Sequence, residues 1–223
     1  MTKRINKKDI ESKSLDLLKS YWKDKDIKAV PPIDPIDIIE YLGYDVVYRN
    51  DGIYEDKNIL GGLNIDKKNV EVNEKANTHH GRENFTLAHE IGHIRLHSKG
   101  ISLENREKLC RTDAGFDANT PDRIEREADK FAAYLLMPTE HVKTAFDSVR
   151  NKPLRLRNNL IFQLLLKRSP RTRSIQFSRK VMEAGNFTNV SKLAMVNRLI
   201  GMEFIRGLRY QKNVVKKTKE KRK

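Results

Sequence analysis

One cysteine, Cys110, and one tryptophan, Trp22, are all that the 223 residues hold of either type. A lone thiol rules out an intramolecular disulfide and any structural zinc site built on several cysteines, a pattern that suits a reducing compartment. Long apolar runs are missing too, and none approaches the ~20 residues needed to span a bilayer. Met1 to Ile10 carries positive charge with no apolar stretch behind it, so it does not read as a secretory signal. The expected location is the cytoplasm.

Cationic charge, by contrast, is in surplus. Lys and Arg number 45 against 30 Asp and Glu, for a formal charge of +15 and a pI near 9.8. Much of it gathers after Arg150, at Arg155, Arg157, Lys167, Arg168, Arg171, Arg173, Arg179 and Lys180. Such a surface could engage nucleic acid or an acidic protein, or could simply be solvated, since no aromatic interleaving accompanies it.

The segment from Phe85 to His97 reads F-T-L-A-H-E-I-G-H-I-R-L-H. On a helix, His89-Glu90-x-x-His93 sets two imidazoles one turn apart on one face, with a carboxylate beside the first. Two histidines from one rigid helix suit Zn²⁺, whose catalytic sites use three protein ligands and keep the fourth position for water. Glu90 would be the base that takes a proton from that water. With six His and fifteen Glu in the chain, the pattern arises by chance about 0.01 times. Phe85, Leu87, Ala88, Ile91 and Ile94 supply an apolar side that lets such a helix be buried.

Around this motif the chain alternates short elements. Residues 9 to 23 form an amphipathic pattern, with Ile10, Leu15, Leu17, Leu18, Tyr21 and Trp22 apolar. Pro31, Pro32 and Pro35 precede a short helix over Ile36 to Leu42, ended by Gly43. Tyr44 to Tyr48 reads as a strand, and Ile59 to Asp66 with Asn69 to Asn73 as a hairpin. Gly61-Gly62 inside a strand signals a bulge or the close approach of another backbone, a bound peptide being one candidate. Ser98 to Asn119 is polar and reads as irregular or partly helical. Thr120-Pro121-Asp122 gives three helix-start signals, and the helix that follows carries Ile124, Ala128, Phe131, Ala132, Leu135 and Leu136 on one face before Pro138. Leu160 to Lys167 and Val190 to Leu208 read as helices, and the lysine-rich end as a disordered tail.

A third ligand must come from His79, His80, His97, His141, Cys110 or an acid. His97, eight residues past His89, lies a further turn along the axis and reads either as a residue that supports a ligand from behind or as a structural one. A metzincin would carry histidine ten residues after the first, where this chain has Lys99. Glu125 on the second helix is the best choice, because Asp129 one turn on could accept the N–H of a ligating histidine and fix its tautomer. Glu127 is the runner-up, and an ordinary polar edge paired with Arg123 or Arg126 is the bland alternative.

F-T-L-A-H-E-I-G-H, followed about thirty residues on by E-R-E-A-D-K-F-A-A-Y-L-L-M-P, resembles the paired signature of the ImmA/IrrE family of zinc metallopeptidases. Leu60-Gly61-Gly62-Leu63 is similar to the hairpin before that family's active helix, and Asn186 to Phe204 to a segment found late in many members, here with Asn189 within it. The resemblance covers about residues 28 to 140 and implies a gluzincin-like fold with Zn²⁺ held by His89, His93 and Glu125 and with Glu90 as catalytic base. It further implies a protein substrate, a helix-turn-helix transcriptional repressor whose cleavage relieves repression in a phage, mobile element or stress response. The expected architecture is α+β, a zincin-like core with a small antiparallel sheet on the motif helix and a mostly helical C-terminal region. The expected division is an N-terminal helix and linker over 1–30, a peptidase domain over 31–149, a basic helical region over 150–208 and a tail over 209–223. The competing expectation is a non-proteolytic regulator that binds a repressor or DNA through its basic C-terminal half.

Overall fold

The computed structural model describes residues 5–53, 59–77, 79–98, 109–112, 123–156 and 169–209. Asn6 caps the first helix, α1 (Lys7–Asp24), by accepting the Asp9 N–H, and the helix buries Ile10, Leu17, Leu18, Tyr21 and Trp22 on one face. Asp34 caps α2 (Pro35–Tyr41), where the proline occupies the first turn and needs no N–H partner. Three strands follow, β1 (Asp45–Arg49), β2 (Ile59–Asn64) and β3 (Asn69–Asn73), and then the motif helix α3 (His80–Leu96). After it come β4 (Leu109–Thr112), α4 (Arg123–Leu136), α5 (Thr139–Val149) and β5 (Leu154–Arg155). The helices α6 (Pro170–Ala184) and α7 (Lys192–Gly201) and the strand β6 (Ile205–Arg206) complete the described chain.

The class is α+β, as expected, but the sheet is mixed rather than antiparallel. Its order is β1-β3-β2-β4; β2 pairs antiparallel with β3 and with β4, while β1 runs parallel to β3. β1 thus lies on the far side of β3 from β2. The hairpin of β2 and β3 stands where the alternation put it, with Leu63 opposite Val70 and Gly61 opposite Val72. The stretch read as irregular after the motif contains the edge strand β4. The helix expected over 190–208 ends at Gly201, and Ile205-Arg206 instead pairs with β5. The start signals at 120–122, the apolar run at 160–167 and the lysine-rich tail lie outside the described residues.

Helix α3 is the buried centre. It packs on β2 and β3 on one side, on α4 on the other and on α2 at its flank, while α1 covers the outer face of α4. Ten consecutive residues, Phe85 to Ile94, are buried. In the C-terminal part, Phe177, Val181, Phe187, Val190, Met195 and Leu199 join the same apolar cluster as Leu18, Ile38 and Phe131. Polar staples reinforce that joint. Asn84 donates to Asn189 O at 3.0 Å, the Asn189 amide donates to Ile33 O, and Arg198 donates to Met137 O at 3.0 Å while lying over the Tyr134 ring. Among the described residues, no helix is long and apolar enough to cross a membrane.

Candidate metal centre

Two close approaches align the site. A Cβ on Gly92 would sit 3.0 Å from Ala128 Cα and 3.1 Å from Ala128 O, so α3 and α4 cross there at a distance only glycine permits with ease. His89 and His93 flank Gly92 on one helix, and Glu125 and Asp129 flank Ala128 on the other. On the opposite side, a Cβ on Gly61 would sit 2.4 Å from Thr86 Cγ2 and 3.3 Å from Glu90 Oε1. At Gly61 the bulge reading holds, while the atoms that approach from α3 are side chains rather than another backbone. The register of β2 against β4 shifts between Ile59 and Gly61, and what approaches closely is the motif helix itself. Asn77, buried at the end of the hairpin, donates to Leu60 O and Asn73 O at 2.8 Å and receives the Thr86 hydroxyl at 3.1 Å, which ties the sheet to α3.

The convergence of donors is close. His89 Nε2 lies 2.9 Å from His93 Nε2 and 3.0 Å from Glu125 Oε2, and His93 Nε2 lies 3.2 Å from Glu125 Oε1. Ligand atoms about 2.0–2.1 Å from a tetrahedral ion stand ~3.3 Å apart, so two nitrogens and a carboxylate at these separations fit one metal ion. His89, His93 and Glu125 could hold such an ion. Glu90, 0% exposed, follows His89 on the side toward Gly61.

The surroundings divide the two imidazoles electrically. Burial opposes charge on His89, but hydrogen bonds with Asp129 and Glu125 and the nearby charges of Asp129 and Glu90 outweigh it and lift its pKa to about 9. Burial dominates at His93, despite its contact with Glu125, and depresses it to about 4. Burial works against the Glu125 carboxylate as well, yet the hydrogen bonds to His89 and His93 win and hold it below the ordinary carboxylate range.

Asp129 Oδ1 lies 2.9 Å from His89 Nδ1, the position expected of a carboxylate that accepts a ligand's N–H. Glu127, the alternative third ligand, points elsewhere. Its Oε2 is 3.2 Å from His97 Nε2 and its Oε1 accepts the Ile5 N–H at 3.1 Å. Two residues on a helix differ by about 200° in direction, so Glu125 and Glu127 cannot face one ion together. His97 stands 3.2 Å behind His93, Nδ1 to Nδ1, where the spacing put a supporting or structural residue rather than a ligand. Its link to Glu127 was not read from the sequence, although the four-residue step from His93 to His97 was the available signal. Among the other histidines, His79 caps α3 through the Arg82 N–H and His141 lies against Ala29 O.

The family model for the peptidase M78, or IrrE N-terminal-like, domain matches residues 40–199. The chain belongs to the peptidase M78 family. It is also 26% identical over 112 residues to the "uncharacterized immunity region protein 2" of Bacillus phage phi105, an alignment covering 50% of this chain and 63% of that protein. The chain thus spans less than two thirds of that relative. The M78 match runs from α2 through α7, so it takes in both α3 and α4 and most of the C-terminal helices.

Proposed function

We propose that this M78 protein is a zinc-dependent endopeptidase, with His89, His93 and Glu125 as the metal ligands, Glu90 as the catalytic base and Asp129 as the residue that orients His89. The observation that carries the reading is the meeting of two imidazole Nε2 atoms and a carboxylate within 3.2 Å, beside a buried glutamate on the same helix. Zinc held there would supply Lewis acidity, lowering the pKa of a water and polarising a peptide carbonyl. Glu90 would remove the water's proton and return it to the leaving amine. Asp129, by accepting from His89 Nδ1, keeps the Nε2 lone pair directed at the site. The substrate we propose is a helix-turn-helix repressor in the cytoplasm, a reading supported by the likeness to a phage immunity-region protein.

The test mixes the purified protein with repressors encoded beside it, with zinc or with chelator, and follows cleavage by mass spectrometry. Glu90→Gln is expected to slow cleavage by about 10²–10⁴-fold while zinc content stays near one per chain. Cleavage by Glu90→Gln at the wild-type rate would remove the glutamate from its role.

Charge favours a second reading. From Thr139 onward the chain holds 22 of its 45 Lys and Arg but 5 of its 30 Asp and Glu, a net +17 against −2 for residues 1–138. A regulator that grips DNA or a repressor through this half, without proteolysis, would show steeply salt-dependent binding and no cleavage product.

A further inference from the structure

We infer that His97 and Glu127 act as a positioning relay that holds His93 by its far nitrogen and ties it to the chain segment before α1. The inference rests on His93 being a metal ligand. Its geometry is continuous: His93 Nδ1 to His97 Nδ1 at 3.2 Å, His97 Nε2 to Glu127 Oε2 at 3.2 Å, and the Ile5 N–H to Glu127 Oε1 at 3.1 Å. All three side chains are at least 97% buried, so no solvent stands in for a missing partner.

Proton count leaves one arrangement that satisfies every atom. A histidine that offers Nε2 to a metal carries its proton on Nδ1. That proton needs an acceptor, and His97 Nδ1 is the atom that faces it. His97 must then carry its own proton on Nε2, where the Glu127 carboxylate accepts it. The second carboxylate oxygen takes the Ile5 N–H, with the Arg123 guanidinium 3.6 Å away. Glutamate suits the end of such a chain because both oxygens accept. Glutamine has a single acceptor for two donors. Its amide N–H would favour the other His97 tautomer, which in turn would push the His93 proton onto Nε2 and block the lone pair.

The two imidazoles are thus held differently. Asp129 contacts His89 directly, and Glu127 contacts His93 through a second imidazole.

The experiment uses the full chain labelled with ¹⁵N-histidine. Two-bond ¹H–¹⁵N spectra of the metal-free protein are expected to show His93 protonated on Nδ1 and His97 on Nε2. The opposite tautomer at either residue overturns the relay. Glu127→Gln is expected to weaken zinc binding by about 10–100-fold in chelator competition and to invert the His97 tautomer, with helicity retained. Zinc affinity within twofold of wild type would also overturn it. Ile5→Pro, which deletes the terminal donor together with the Ile5 side chain's packing on the core, is expected to weaken zinc in the same direction and by less, with Ile5→Ala, which keeps the N–H, as the control for the packing loss. If wild-type protein binds no zinc, the metal reading fails, while the tautomer spectra still decide the relay. They decide it equally if Glu127→Gln does not fold.

Discussion

The two halves of the molecule treat charge in opposite ways. Up to Pro138 the acids and bases nearly cancel, and around α3 they are turned inward onto each other, as His89 with Asp129 and Glu125, and His97 with Glu127. From Thr139 the surplus is +17, and Arg171, Arg179 and Lys180 stand exposed on α6. Arg198 is an exception, buried as a staple between α7 and the junction of α4 with α5. The difference teaches that buried charge here assembles a site by mutual satisfaction, whereas the outward charge of α6 is free of that constraint and can change with little effect on the fold.

Reversing Arg171, Arg173, Arg179 and Lys180 to Glu together is the widest break of this contrast. If the basic half meets a polyanion, filter binding to duplex DNA should show the log affinity–log salt slope fall by about 3–4, roughly 0.9 per lost phosphate contact. Zinc content should not change. An unchanged slope would assign these charges to solubility alone.

A smaller effect is expected inside the first half, where space is short. Gly61→Ala would press a methyl group onto Thr86 and Glu90, and should destabilise the protein by about 1–3 kcal/mol in urea unfolding. Lys180→Ala on the open face of α6 should stay within about 0.5 kcal/mol. Equal losses at the two positions would erase the distinction.

The finest test is titration. His89 must shed its proton to hold a metal, and its pKa stands at about 9, while His93, at about 4, is already neutral above pH 5. Zinc affinity should therefore rise about tenfold per pH unit up to about pH 9, with about one proton released per ion in calorimetry with buffers of different ionisation heat. Without metal the two signs oppose. The raised His89 contributes stability below its unfolded value near 6.5 that is lost as pH climbs through 9, and the depressed His93 contributes stability above 6.5 that is lost as pH falls toward 4. Metal-free thermal midpoints should peak between these limits.

Much of this was legible beforehand. The four-residue step of His89 and His93 and that of Glu125 and Asp129 are local facts of helical geometry, which is why their mutual placement could be anticipated once two helices were assumed to cross. Gly92 marks where they cross, though nothing local says that Ala128 is its partner. What escaped the sequence depends on distant pairing. β4 is a strand because β2 presents an edge to it, and the direction of β1 is defined only against β3, some 24 residues on. Glu127 looked like a rival ligand since its partner, His97, is thirty residues away, and the Ile5 amide is 122 residues away.

That last separation has a consequence for when the site becomes whole. During synthesis at roughly 5–20 residues per second, Glu127 emerges on the order of 10 s after Ile5, and the loop between them must close before their bond can form. If Glu127 and His97 hold His93 for a metal, capture at full strength waits on the docking of the segment around Ile5, and the rate at which a refolding chain acquires zinc would read out that docking.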